Sequence, residues 1–239
     1  MALLTQEGWL FLLRWFHFLA GITWIGMLYY FNFVQTPFFA TVEAPVRSGM
    51  VAGGLLDRAL WWFRWGAMFT FITGWLMILH RMGHIGLMFF SNSYGWYIFT
   101  GGMLGSLMWF NVWFVIWPAQ QVVMRSAQQV KGGGQAIAEA AARGQRAGFA
   151  SRTNTLLSIP MLFFMGAASH LTTFSGVGRS AKVGMLLFVL VVMAVAEYNA
   201  MVGTAGPGKK MLGTLKGTFW AGFILTAILY FGLAVLGGA

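Results

Sequence analysis

Residues 15–30, WFHFLAGITWIGMLYY, decide the class of this protein. One imidazole, His17, sits in a run otherwise fit to cross a lipid bilayer, and Gly21 and Gly26 follow it. An ionisable group inside a membrane helix is costly and tends to be kept for function. Small residues beside it let a second helix or a flat ligand come close.

The rest of the chain agrees with this stretch. Hydrophobic residues make up 59% of the 239 and charged ones 8%, against about a quarter charged in soluble domains. The reading is an integral membrane protein, all-α, a single polytopic helical bundle over residues 1–239. A net charge of +10 fits basic loops beside anionic lipid, and no nucleic-acid motif is present. There is no cysteine. That excludes disulfides, c-type haem attachment, cysteine-ligated iron–sulfur clusters and thiolate copper sites. A metal would need His, Met or oxygen ligands, and a cofactor would be bound non-covalently. Met1 to Leu13 contains Glu7 and no early Lys or Arg, so the first helix is expected to stay rather than be cleaved as a signal peptide.

Crossing the hydrocarbon takes roughly 20 helical residues. Six segments qualify: about 9–33, 59–80, 94–117, 154–174, 183–203 and 217–237. Pro118 is expected to end the third and Pro160 to kink the fourth. The loops after the first, third and fifth segments hold most of the Lys and Arg, including Arg47, Arg125, Lys131, Arg143, Arg152, Lys209 and Lys210. The positive-inside rule then turns both termini outward, in the inner (cytoplasmic) membrane if the source is a bacterium. The connection 118–152 is expected on the cytoplasmic side, with a flexible KGGG joint before a helix-forming stretch AIAEAAARGQRA.

On this topology all four histidines fall in the outward half. His17 and His170 lie at similar depth on the first and fourth segments, and such a pair can supply both axial ligands of a haem b. Gly21 and Trp24 would then wall the macrocycle. The alternative is that each imidazole is a packing or interfacial residue. His80 and His84, four residues apart, share a face if the helix continues that far. They read as a wet interfacial pair, or as a two-histidine metal site. A second gathering, Arg64, Asn111 and Glu197 with Asn154, Asn199, Asn32 and Arg152 near, lies toward the opposite ends. It reads either as an Arg64–Glu197 ion pair in an amide network or as a proton path or polar substrate pocket, with Arg64, Asn111 and Glu197 as candidate catalytic residues.

Three separated stretches resemble the membrane domain of the bacterial membrane-bound urate oxidases, urate hydroxylases with a fused cytochrome c. They are LLRWFHFLAGITWIGMLYYF, with His17, Gly21, Trp24, Ile25 and Gly26; WWFRWGAMFTFITGW with the later TGGMLGSLMWFNVWFVIWPAQQVV, matching at Trp62, Phe63, Trp65, Gly74, Asn111, Val112, Pro118 and Gln120; and SRTNTLLSIPMLFFMGAASH, with Asn154, Pro160 and His170. The sequence departs from the family in carrying no cytochrome c domain, in a shorter region between matched helices, and in Phe99 where a histidine is usual. The resemblance implies a membrane oxidoreductase that passes electrons to a separate cytochrome c or a larger respiratory complex. The alternative is a non-catalytic subunit of such a complex. A small transporter is a third reading, weakened by the lack of inverted repeats.

Overall fold

The computed structural model describes residues 2–239. Among them every extended element is helical, and the sole β-type pairing is the bridge Asn92–Ser175. The first long helix runs unbroken from Gln6 to Thr41 as α1 (Gln6–Tyr29), a π-helical turn π1 (Tyr30–Gln35) and α2 (Thr36–Thr41). A short α3 (Ala44–Ala52) leads into α4 (Leu55–Ile85). The next long helix combines α5 (Ser93–Phe110), a second π turn π2 (Asn111–Ile116) and α6 (Trp117–Lys131). Then follow α7 (Ala140–His170), α8 (Arg179–Met201), the short α9 (Pro207–Leu212) and α10 (Leu215–Gly237).

Local chemistry sets these boundaries. Thr5, Asn92 and Thr214 accept hydrogen bonds through their side chains from the amides of Gly8, Gly95 and Gly217, capping α1, α5 and α10,. Gly86 takes φ 56° to close α4, a conformation that side chains disfavour,.

Six long helices therefore occupy the six expected segments. Four of them, Gln6–Thr41, Ser93–Lys131, Arg179–Met201 and Leu215–Gly237, are long and apolar enough to cross a membrane. The other two, α4 and α7, are longer than a bilayer requires but carry more charge, such as Arg58, Arg64 and Arg81 on α4. The outside of the bundle is apolar: Ile22, Val195 and Val235 are each more than 60% exposed. In water such a surface would drive aggregation; against lipid tails it costs nothing.

Successive long helices run antiparallel. Gln6 reaches His80 and His84, Ser93 bonds to Phe174, and Lys182 reaches Leu87, so these residues share one end with both termini, the terminal end. The basic loops lie at the other. Trp24, Phe63, Tyr97, Met108, Leu157, Phe164, Met185 and Leu229 fill the core between them. The α1–α4 seam is close: a Cβ at Gly66 would lie 3.0 Å from the Trp24 backbone nitrogen and 3.2 Å from the Ala20 carbonyl oxygen.

Two expectations need correction. Pro118 does not end its helix. The Trp117 amide bonds back five residues to Val112, and the widened π turn accommodates a residue with no amide hydrogen. The same device precedes Pro37, where the Thr36 amide bonds to Phe31. In the 118–152 connection the helix-forming stretch enters α7 from Ala140 as expected, but the segment before the glycines is helix too, α6 running to Lys131; the link is 132–139, with Gly133 at φ 84°. α7 runs through Pro160 without interruption.

Candidate functional site

Both π turns present buried amides. Asn111 opens π2, is fully buried, and donates one amide hydrogen to Asn154 Oδ1 and the other to Glu197 Oε2, each at 3.0 Å. Asn154 in turn donates to the Met108 carbonyl at 2.9 Å. Asn111 Oδ1 and Glu197 Oε1 are buried without a protein partner. This relay joins π2, α7 and α8. Asn32 in π1 donates to the Leu28 carbonyl and to Ser151 Oγ, tying the first helix to α7.

The Arg64–Glu197 ion pair does not form. Among the described residues the one ion pair joins Arg143 on α7 to Glu139, the N-cap residue of that helix, at 3.2 Å. Arg64 instead lies over aromatic rings, its guanidinium carbon 3.8 Å from the Trp117 ring centroid and 5.1 Å from that of Trp113. Glu197 bonds to Asn111 instead, six residues before Trp117 on the same long helix.

A cavity of about 550 Å³ opens between π1, α3, α6 and α7 at the basic end. Its aromatic lining includes Phe31, Phe39, Phe63 and Phe149, and its polar lining includes Gln35, Arg47, Gln120, Gln145 and Arg152. That volume is typical of small-molecule sites. Gln35 Oε1 and Arg152 Nη1 are buried without partners. Arg64, Asn111 and Glu197 are not among its walls. Gln35 and the cavity escaped the sequence reading. The available signal was the amide-bearing turn just ahead of a proline, seen at both Pro37 and Pro118. A second hollow, lined by Lys216, Phe219, Trp220 and Phe223, is apolar and lies on the outer face of α10.

The histidines occupy the terminal half. His17 Nδ1 lies 3.0 Å from Thr73 Oγ1. Thr73 donates its own hydroxyl hydrogen to the Phe69 carbonyl at 2.6 Å, so His17 is the donor and its Nε2 keeps a lone pair. His170 Nδ1 donates to the Gly166 carbonyl at 2.9 Å, again leaving Nε2 open. α1 and α7 meet where the Tyr29 and Ser158 hydroxyls bond at 2.9 Å. Each histidine lies twelve residues beyond that contact toward the terminal end, on the order of 18 Å of helix rise. Their surroundings differ. His17, Gly21 and Trp24 lie along the α1–α4 seam, with Gly21 facing Thr70 and His17 facing Gly74. His170 is exposed, and the two imidazoles share no hydrogen-bond partner. At the end of α4, Gln6 Nε2 lies 3.0 Å from His80 Nε2 and 2.7 Å from His84 Nε2. Among the described residues no three His, Cys, Asp or Glu side chains cluster as a metal site.

No curated protein and no solved structure matches the chain. The family described as urate oxidase N-terminal matches residues 79–231, from the end of α4 into α10. The match takes in Asn111, Asn154, Glu197 and His170, and the segment with Gln120, Phe149 and Arg152; His17 and Arg64 precede it. With more than half of its length matched, this membrane-type helical chain belongs to the urate oxidase N-terminal family.

Proposed function

We propose that the protein is a membrane-embedded oxidoreductase of the urate-oxidase type, which holds a planar oxygenated heterocycle in the basic-end cavity and sends its electrons toward a cytochrome c or a larger respiratory partner. The observation that carries the reading is a cavity walled by phenylalanines and lined by Gln35 and Arg152, whose Oε1 and Nη1 atoms have no protein partner. A buried polar group without a partner costs about 1–3 kcal/mol, and a ligand that satisfies both recovers it. An anionic oxopurine suits them: a ring N–H donates to Gln35 Oε1, an exocyclic oxygen accepts from Arg152, and the ring faces lie against Phe31 or Phe149. Arg47 adds positive charge at the rim. Asn111 and Glu197 line no part of this cavity; their role here is to hold π2, and so the α6 wall, in place.

The donor set at the terminal half suits haem b. His17 and His170 each spend Nδ1–H on a fixed acceptor, the arrangement that orients an imidazole for ligation through Nε2, and they stand at matched depth. A haem held there would supply a one-electron relay toward the terminal end. On this reading the membrane is a bacterial inner membrane, with the basic loops on the cytoplasmic side and the terminal end outward.

Two measurements on the purified chain test the reading. Calorimetric titration with urate is expected to show binding that Arg152→Gln and Gln35→Leu each weaken by about 10–100-fold, the loss of a hydrogen bond to a charged or buried group. A reduced-minus-oxidised absorption spectrum is expected to show a haem b band that His17→Ala and His170→Ala remove. Urate binding unaltered by both cavity variants would overturn the substrate site, and a fully reconstituted preparation without a haem band would overturn the relay.

A further inference from the structure

The terminal end carries a third arrangement that the redox reading does not use. His80 and His84 sit one turn apart on α4, and their ring centroids are 4.4 Å apart. Their Nε2 atoms converge on a single atom, the Gln6 amide nitrogen, at 3.0 and 2.7 Å. An amide nitrogen is a donor only, with two hydrogens to give. Both imidazoles therefore aim Nε2 lone pairs at a common point, in the tautomer that metal ligation requires. Cations nearby are engaged elsewhere: Arg81 lies over the Tyr94 ring at 4.5 Å, and Lys182 bonds to the Leu87 carbonyl and Ser91 Oγ.

We propose that Gln6, His80 and His84 form a site for a divalent transition-metal ion of the Zn²⁺ or Cu²⁺ class, which ties the start of α1 to the end of α4. Two imidazoles four residues apart on one helical face are a recurrent chelating pair. With the ion in the place the amide nitrogen now holds, the Gln6 side chain withdraws and turns Oε1 toward it as a third ligand. Metal–imidazole bonds of about 2.0–2.1 Å require the rings to close by roughly 1 Å, and side chains at an open helix end have the freedom to do so. Nitrogen donors select borderline ions over Mg²⁺ and Ca²⁺. No further His, Cys, Asp or Glu joins the three among the described residues, so a water completes the shell and the ion exchanges with solvent. The site stands apart from the cavity and from His17, and its fate is independent of the urate-oxidase reading.

The test uses the whole chain, purified without a histidine tag and titrated with Cu²⁺ alone. The expected electron paramagnetic resonance signal shows coupling to two nitrogens at one ion per chain, displaced by excess Zn²⁺. His80→Ala and His84→Ala each reduce the coupling to one nitrogen and weaken binding about tenfold or more. Gln6→Leu weakens binding but keeps two nitrogens, and His170→Ala changes neither. Zn²⁺ raises the melting temperature of the native chain and not that of His84→Ala. Because His84 is exposed, its replacement leaves the fold intact. A two-nitrogen signal that survives in the His80→Ala/His84→Ala double variant, or a native chain showing no nitrogen coupling at stoichiometric Cu²⁺, overturns the site.

Discussion

Asn111 is the residue on which most of the buried polar chemistry converges. Both its amide hydrogens are spent, on Asn154 and Glu197, and no water reaches it. Asn111→Leu keeps the branched shape, though not the volume, and removes both donors, stranding Asn154 Oδ1 and Glu197 Oε2. The expected cost is about 1–3 kcal/mol, read as a lower melting temperature in detergent. Glu197→Gln keeps an acceptor oxygen for Asn111 and is expected to melt close to the native chain, which separates the hydrogen bond from the charge. Lys209, in the α8–α10 connection, gives a pH-dependent counterpart. Its ammonium donates to the Ala200 carbonyl at 2.8 Å and lies 4.3 Å from the Phe149 ring centroid, and burial lowers its proton affinity below the ordinary value of 10.5. Below the folded-state value the lysine is charged in both states, and the folded chain bears the full desolvation cost. Between that value and 10.5 the unfolded chain holds more protons, so stability rises with pH across this window and levels off above it. Melting curves recorded from neutral pH through the ordinary lysine value are expected to show that rise in the native chain and not in Lys209→Met.

At the scale of elements, glycine positions decide how near the helices approach. Gly66 has backbone atoms of α1 at 3.0 and 3.2 Å from where a Cβ would stand, whereas a Cβ at Gly26 would meet nothing within 4 Å. Gly66→Ala is therefore expected to push α1 from α4 at a cost of about 1–3 kcal/mol. Gly26→Ala is expected to be neutral or mildly stabilising through helix propensity, and thermal unfolding of the two variants side by side checks the contrast. The same elements show what could be read without coordinates. The six helices were legible because apolar runs of bilayer length have few other uses, and the joint at KGGG was legible because glycines do not continue a helix, though not the extent of helix on either side of it. The passage through Pro118 was not. A proline reads as a stop, yet the Trp117 amide finds Val112 one residue further back and the helix continues. The partners of Arg64 and Glu197 were not legible, because which way each side chain turns depends on helix rotation: Arg64 turns to Trp117 and Glu197 to Asn111. Gln35 carried only the signal of an amide just ahead of a proline, which gains meaning when a cavity forms beside it.

For the whole molecule the deciding question is which end faces the cytoplasm. Six antiparallel long helices bring both termini to one end, so a single measurement fixes the orientation of every loop. The basic loops and the histidines mark opposite ends, and the two proposals depend on that difference. An anionic substrate entering at Arg47 and Arg152 comes from the side of the basic loops, while an ion bound at His80 and His84 comes from the other. The chain holds no cysteine, so one introduced thiol is read against no background. Met88, in the loop after α4, is 72% exposed at the terminal end; Gln135 is exposed in the link between α6 and α7. With the positive-inside bias in force, a membrane-impermeant maleimide is expected to label Met88→Cys in intact cells. Gln135→Cys is expected to react only after the membrane is opened. The reverse pattern would put the cavity outward and require its substrate to arrive from outside the cell. Labelling of both thiols in intact cells would show that the one long helix between them, Ser93–Lys131, does not cross the bilayer.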